Sequence, residues 1–198
     1  MRQETGSNLT STNKKVSIQV KLGGRSFSAD TITADEHNAE VEFVVDTPRV
    51  TLAPRSEVSL DKASELLNIV GKACHSNELC VCSELQDEIV AVMALDAQAL
   101  DAIIGKWGSR ARFSSPLLDM RHSDEECLTV DITDGVCYMR FFDGGLQCAE
   151  AFEAATPEDV LYHVTEWFDE TWDTPIYIKS SKAIAKLLRK YFKRVICE

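Results

Sequence analysis

Positive charge is scarce in this sequence: 21 Lys and Arg stand against 32 Asp and Glu, a net charge of -11. A polyanion needs clustered cations to displace its counterions, so nucleic acid is excluded as a first partner. Long apolar runs are also missing, and no uninterrupted stretch approaches membrane-spanning length. Met1 to Asn13 runs through Gln, Glu, Thr, Ser and Asn, without the apolar segment of a signal peptide. The expectation is a cytoplasmic protein whose residues 1–14 form a disordered tail. An even cysteine count is lacking as well: the seven cysteines cannot all pair within one chain, and most lie in apolar, strand-like stretches such as Leu79-Cys80-Val81-Cys82. They read as reduced, buried small hydrophobes.

The usual catalytic patterns are absent too. His37, His75, His122 and His163 are scattered, and Ser180 and Ser181 lack a nucleophile elbow. Cys74, His75, Cys80 and Cys82 offer ligand atoms, but their spacing fits no standard zinc ribbon. No metal site and no catalytic residue is expected.

What is present is an apolar content of 44% in 198 residues, enough for a substantial core. Val16, Ile18, Val20 and Leu22 alternate with polar residues, Gly23-Gly24 interrupts, and Phe27 opens a second short run, which predicts a hairpin. Val41, Phe43 and Val45 alternate again, Asp46-Thr47-Pro48 reads as a turn, and Val50 and Leu52 follow. The first third therefore predicts an antiparallel meander. Ala63, Leu66, Leu67 and Val70 recur at helical spacing behind Ser59, predicting a capped helix over 60–73. Strands near Leu79 and over Ile89 to Leu95 come next, then a helix capped by Asp96 and closed by Gly108.

Beyond the acidic break Asp124-Glu125-Glu126 the order restarts, which sets an expected boundary between lobes 15–123 and 124–198. Asp134-Gly135 and Asp143-Gly144-Gly145 separate three apolar runs and predict a three-stranded meander. Thr156-Pro157-Glu158-Asp159 carries a cap, proline at the first helical position and first-turn acids. Pro175 to Ile178, a helix capped by Ser180 or Ser181, and Val195 to Cys197 predict a right-handed parallel crossover.

Three strands followed by alternating helices and strands, present twice, resembles the plan of the actin, Hsp70 and sugar-kinase superfamily. Val16 to Ser28, Val50 to Pro54, Pro157 to Tyr162 and the closing Ala185 to Val195 stretch resemble, more narrowly, an uncharacterised Bacteroidetes family of actin-like ATPase fold. The resemblance implies an α/β, duplicated actin-like (ribonuclease-H-like) fold of two small lobes, each a mixed sheet with flanking helices.

It also says where ATP and Mg²⁺ would sit: at the hairpin after the first strand of each lobe, where an acid meets the metal and small residues cradle phosphate. In the first lobe Gln19 and Lys21 stand where that acid is expected, and only Gly23 and Gly24 suit close phosphate approach. In the second, Asp131, Thr133 and Gly135 match, although an ordinary Asp-Gly hairpin has the same string. Ile178-Lys179-Ser180-Ser181 replaces the glycine pair of the adenosine site. The expectation is a degenerate cleft in a non-catalytic scaffold that works through a protein partner or a second copy, with no cofactor. The alternatives are a divergent nucleotide-binding ATPase using Gly23, Gly24, Asp131, Thr133 and Gly135, and a metal-dependent ribonuclease-H-like nuclease using Asp131 with Glu153 and Asp159.

Seven of the 21 basic residues fall within the last twenty positions. Glu158, Asp159, Glu166, Asp169, Glu170 and Asp173 could neutralise them, or they could dock an acidic protein or, less favourably, an anionic membrane surface. Of the three tryptophans, Trp107 and Trp167 fall on apolar helix faces, and Trp172 is the interface candidate.

Overall fold

The computed structural model describes residues 16–20, 40–179 and 181–198. The expected tail, Gly23, Gly24, Phe27 and Ser180 lie outside the described residues. The first half contains β1 (Val16–Val20), β2 (Val41–Val45), β3 (Val50–Pro54), α1 (Ala63–Ile69), β4 (Glu78–Cys82), β5 (Ile89–Asp96), α2 (Ala97–Trp107) and β6 (Ala111–Ser114). The second contains β7 (Cys127–Thr133), β8 (Val136–Phe142), β9 (Leu146–Glu153), α3 (Pro157–Trp167), β10 (Ile176–Lys179), α4 (Lys182–Leu188) and β11 (Val195–Cys197). No helix among the described residues is long and apolar enough to cross a membrane.

The second half follows its local signals. Asp134 (φ 49) and Gly135 (φ 81) give two successive left-handed residues, the backbone of a tight hairpin turn that fixes the Thr133–Val136 register of β7 and β8. β10 pairs in parallel with both β7 and β11, so the sheet order is β11-β10-β7-β8-β9. α3 starts on a reciprocal cap, in which Thr156 Oγ1 accepts from the Asp159 N–H at 3.3 Å and the Asp159 carboxylate accepts from the Thr156 N–H at 2.8 Å. Ser181 Oγ caps α4 through the Ile184 N–H. α3 and α4 bury Val160, Val164, Ile184 and Leu188 against Leu128, Val130, Ile176 and Ile178 on one face of this sheet.

The first half departs from the expected meander. β1 pairs in parallel with β2, and β2 in parallel with β6, a strand that the sequence pattern did not announce. β3 belongs to a separate antiparallel sheet of order β3-β5-β4. Alternation at Val41, Phe43 and Val45 decides which face is buried, not which strand lies alongside or in which direction. Asp46-Thr47-Pro48 is a corner between two sheets: the Asp46 N–H donates to Val20 O at 2.9 Å, and Thr47 Oγ1 accepts from the Arg49 N–H at 3.2 Å.

α1 is also shorter than 60–73. The Ser59 hydroxyl bonds the Asp61 carboxylate instead of the helix, whose first flanking residue is Lys62 without a side-chain cap. Leu67 is buried there, whereas Ile69 is 79% exposed. In α2 Asp96 Oδ1 accepts from the Gln98 and Ala99 N–H groups as expected, at 3.0 and 3.1 Å.

One apolar cluster joins the two halves. Phe43, Val45, Met93, Ile103 and Trp107 pack with Val136, Tyr138 and Ala151 from the face of β8 and β9 opposite the helices. The five-stranded sheet thus packs apolar side chains on both sides, and its strands β7 and β8 run as long buried stretches.

Candidate functional site

In open α/β sheets, ligands favour the crevice beyond the carboxyl ends of parallel strands. Here those ends come from two sheets. A cavity of about 400 Å³ is lined by Glu42 and Val44 of β2, Ser114 at the end of β6 and Ser115 after it, Asp119, Asp131 and Thr133 of β7, and Lys179 at the end of β10. β2 places Glu42 and Val44 here because Val41, Phe43 and Val45 take the opposite, core face.

The floor is polar by the same alternation. On β7, Leu128 and Val130 face the helices, so Thr129, Asp131 and Thr133 face the cleft. Asp131 lies opposite Tyr138 on β8 and beside Lys179 on β10. Only 5% of Asp131 is exposed, and Lys179 Nζ sits 3.3 Å from its Oδ2. Beneath it Arg140, 2% exposed, donates Nε–H to Thr129 Oγ1 at 2.9 Å and Nη1–H to the Pro116 carbonyl. Burial pulls the Arg140 guanidinium below its usual range, opposed by the charges of Asp119 and Asp131.

Tyr138 ties this floor to the opposing sheet. Its hydroxyl accepts from the Thr47 N–H at 2.9 Å and donates to Asp46 Oδ1 at 3.4 Å. Burial, and then the charge of Asp46, push the phenol well above its ordinary value, so it remains a neutral donor. Two buried carboxylates, Asp131 of β7 and Asp46 of the corner after β2, therefore flank one tyrosine.

Asp119 rims the cleft and is held by Arg121, whose Nε lies 2.9 and 2.8 Å from its two oxygens. Burial would raise its carboxyl, but the Arg121 hydrogen bond, backbone donation and the Arg140 charge outweigh burial and hold it below the usual range. A lowered folded pKa means that its stabilising contribution is complete at neutral pH and lost as acid carries the pH down through that value. Asp119→Asn is expected to flatten the acid limb of a stability–pH profile, read by urea unfolding between neutrality and strong acid. An unchanged limb would show that this pairing does not couple to folding.

Of the residues predicted for nucleotide, Asp131 and Thr133 line the cleft. Gly135 lies in the β7–β8 turn, where its positive φ is what requires glycine and a Cβ would meet nothing within 4 Å. Gly23 and Gly24 lie outside the described residues. The nuclease trio is not assembled: Glu153 is exposed at the end of β9, and Asp159 is engaged in the α3 cap, neither lining the cavity with Asp131. Sequence reasoning missed Asp46, which it took for a turn acid, and also Asp119 and Arg140. A buried-strand arginine opposite a threonine was the one signal that pointed to Arg140.

Two other regions compete for attention. A cavity of about 530 Å³ between β3 and α3 has one ammonium, Lys72, which already donates to the Val50 and Ala151 carbonyls at 3.1 and 2.7 Å. Trp172, the interface candidate, is half-buried and stacks on Phe168 at 3.8 Å between ring centroids. Cys80 and Cys82 share a face of β4, and the hydrogen bond between their thiols pushes Cys80 up and Cys82 down.

The C-terminal cations also differ from the neutralised arrangement. Lys182, Lys186, Arg189, Lys190, Lys193 and Arg194 are exposed, and among the described residues none forms an ion pair with a carboxylate. The acids of the preceding helix are used locally: Asp159 in the cap, Glu166 beside His163 at 3.2 Å, and Asp169 on Thr171.

No family model matches the chain, and no curated protein matches its sequence. Among solved structures it is similar to a Bacteroides thetaiotaomicron protein with an actin-like ATPase fold and unknown function. That likeness has a TM-score of 0.65 at 18% identity, over 80% of this chain and 68% of that one. The cytoplasmic domain of EpsL, an inner-membrane component of the Vibrio cholerae type II secretion system, superposes with a TM-score of 0.46 at 10% identity, over 83% of this chain and 81% of that one. The second superposition is too loose to bear on function. The chain has the actin-like ATPase fold.

Proposed function

We propose that this chain is a non-catalytic actin-like scaffold that acts through protein contacts, its nucleotide cleft degenerate. The observation that carries the reading is the Lys179–Asp131 pair at 3.3 Å. The acid that would meet Mg²⁺ is already matched to an ammonium from the neighbouring parallel strand. Asp119 on the rim is likewise engaged, by Arg121. With its candidate metal-binding acid so paired, the cleft is assigned no cofactor.

The exposed cations of α4 and the residues after it supply the contact surface. A basic face on a chain of net charge -11 favours an acidic protein partner and steers its approach. Kinship with an uncharacterised Bacteroidetes family, supported by the likeness to the Bacteroides thetaiotaomicron fold, and a cytoplasmic location are parts of the same reading.

A second reading is favoured by the position of the cavity at the carboxyl ends of parallel strands: a divergent nucleotide-binding protein using Asp131 and Thr133. Thermal-shift titration separates the two. Millimolar ATP, ADP or GTP with Mg²⁺ is expected to leave the melting temperature unchanged. A rise of several degrees, abolished by Asp131→Ala, would establish the nucleotide reading instead.

A further inference from the structure

The break Asp124-Glu125-Glu126 proves to be folded over the polar face of the five-stranded sheet, where it meets groups distant in sequence. Tyr177 of β10 stacks on His122 with ring centroids 4.3 Å apart, and its hydroxyl donates to Glu125 Oε2 at 2.8 Å. The two ring nitrogens of His122 face different carboxylates: Nδ1 lies 3.2 Å from Glu125 Oε1, and Nε2 lies 3.1 Å from Glu198 Oε1. Cys127, the first residue of β7, completes the cluster, with its thiol making only a long 3.9 Å contact to the His122 carbonyl. Ligand atoms of His122, Glu125 and Cys127 all lie within 4.8 Å of one another.

We propose that His122, Glu125 and Cys127 bind a divalent cation of the zinc class. Imidazole nitrogen, carboxylate oxygen and thiolate sulfur form the mixed donor set that Zn²⁺ accepts, whereas Mg²⁺ and Ca²⁺ favour oxygen alone. The surroundings already orient each donor as a metal site requires. In the tautomer with Nε2–H donating to Glu198, the Nδ1 lone pair of His122 stands beside Glu125 Oε1, so both can reach one cation. Tyr177 holds the other oxygen of Glu125 and fixes the ring plane of His122. Coordination releases the Cys127 thiol proton to solvent and leaves the fourth tetrahedral position for water. The bound ion would pin the 119–126 segment to the start of β7 and, through Glu198, to the end of β11. The alternative for the same geometry is a His122 ring hydrogen-bonded between Glu125 and Glu198, which needs no metal.

The test uses the full chain, stripped with a chelator and titrated with Zn²⁺ by chelator competition and with Co²⁺ by absorbance. Cys80→Ser/Cys82→Ser removes the adjacent thiol pair of β4 as a competing cation site. In that background one cation per chain is expected, with a thiolate-to-cobalt band in the near ultraviolet. Cys127→Ser should abolish the band, and Glu198→Gln should weaken binding about 10- to 100-fold as the loss of an orienting partner. Glu125 is exposed, so Glu125→Gln keeps the test informative even if Cys127→Ser does not fold, and it should also weaken uptake at least tenfold. No uptake in the Cys80→Ser/Cys82→Ser background, or uptake unchanged by Glu125→Gln, would overturn the site and leave His122 as a ring bridging two carboxylates.

Discussion

Arg140→Ala is expected to cost about 3–5 kcal/mol of folding stability, the range for removing one partner from a buried ionic network. The guanidinium is nearly inaccessible, donates to Thr129 and the Pro116 carbonyl, and offsets the charges of Asp119 and Asp131. Alanine leaves an acceptor carbonyl without that donor, and two carboxylates short of a cation. Arg140→Lys keeps the charge but cannot reproduce two divergent N–H bonds from one planar group, so an intermediate loss is expected. Urea unfolding followed by tryptophan fluorescence measures both. A loss below about 1 kcal/mol for alanine would place Arg140 with weak surface pairs rather than with buried ones.

Phe43→Ala is expected to cost a similar amount, about 3–5 kcal/mol, because a fully buried ring is removed and the cavity can collapse only in part. Phe43 is 0% exposed and lies 6.4 Å from the Trp107 ring and 6.1 Å from Phe113. Its cluster includes Val136, Tyr138 and Ala151 from the second half of the chain. The loss should therefore appear as a shift of one cooperative transition, reported equally by Trp107 and by the tryptophans of the second half. Two transitions, only one of them moved, would mean that the halves unfold independently despite the shared core.

The functional face was legible only in pieces. Asp131 and Thr133 stood out through the resemblance, which puts the phosphate hairpin after the first strand of each lobe; the Asp-Gly turn only located the end of that strand. Lys179 was visible as one member of a basic run, but nothing local assigned it to Asp131, 48 residues earlier. Their approach depends on β10 entering the sheet beside β7 in one register, and a one-residue slip would send Lys179 to the helix-covered face. Asp46 was misread for a related reason: Asp-Thr-Pro is turn chemistry, and whether a turn joins paired strands or carries the chain into another sheet is not written in those residues.

The sequence by itself determined the elements whose signals close within a few residues. These are the β7–β8–β9 hairpins through their Asp-Gly turns, α3 through Thr156, Pro157 and Asp159, α2 through Asp96, and the alternation that buries one face of β2. Turn dihedrals, caps and side-chain period act over single turns of chain, so no distant contact is needed to read them. Tertiary structure alone decided that β1, β2 and β6 run parallel, that Tyr138 joins two sheets, and that Lys179 meets Asp131. It alone brought His122 and Glu198 together across 76 residues. Each of those pairings closes a long loop, and its entropy cost is offset only when the whole apolar cluster forms. The choice belongs to the assembled core rather than to any segment of it.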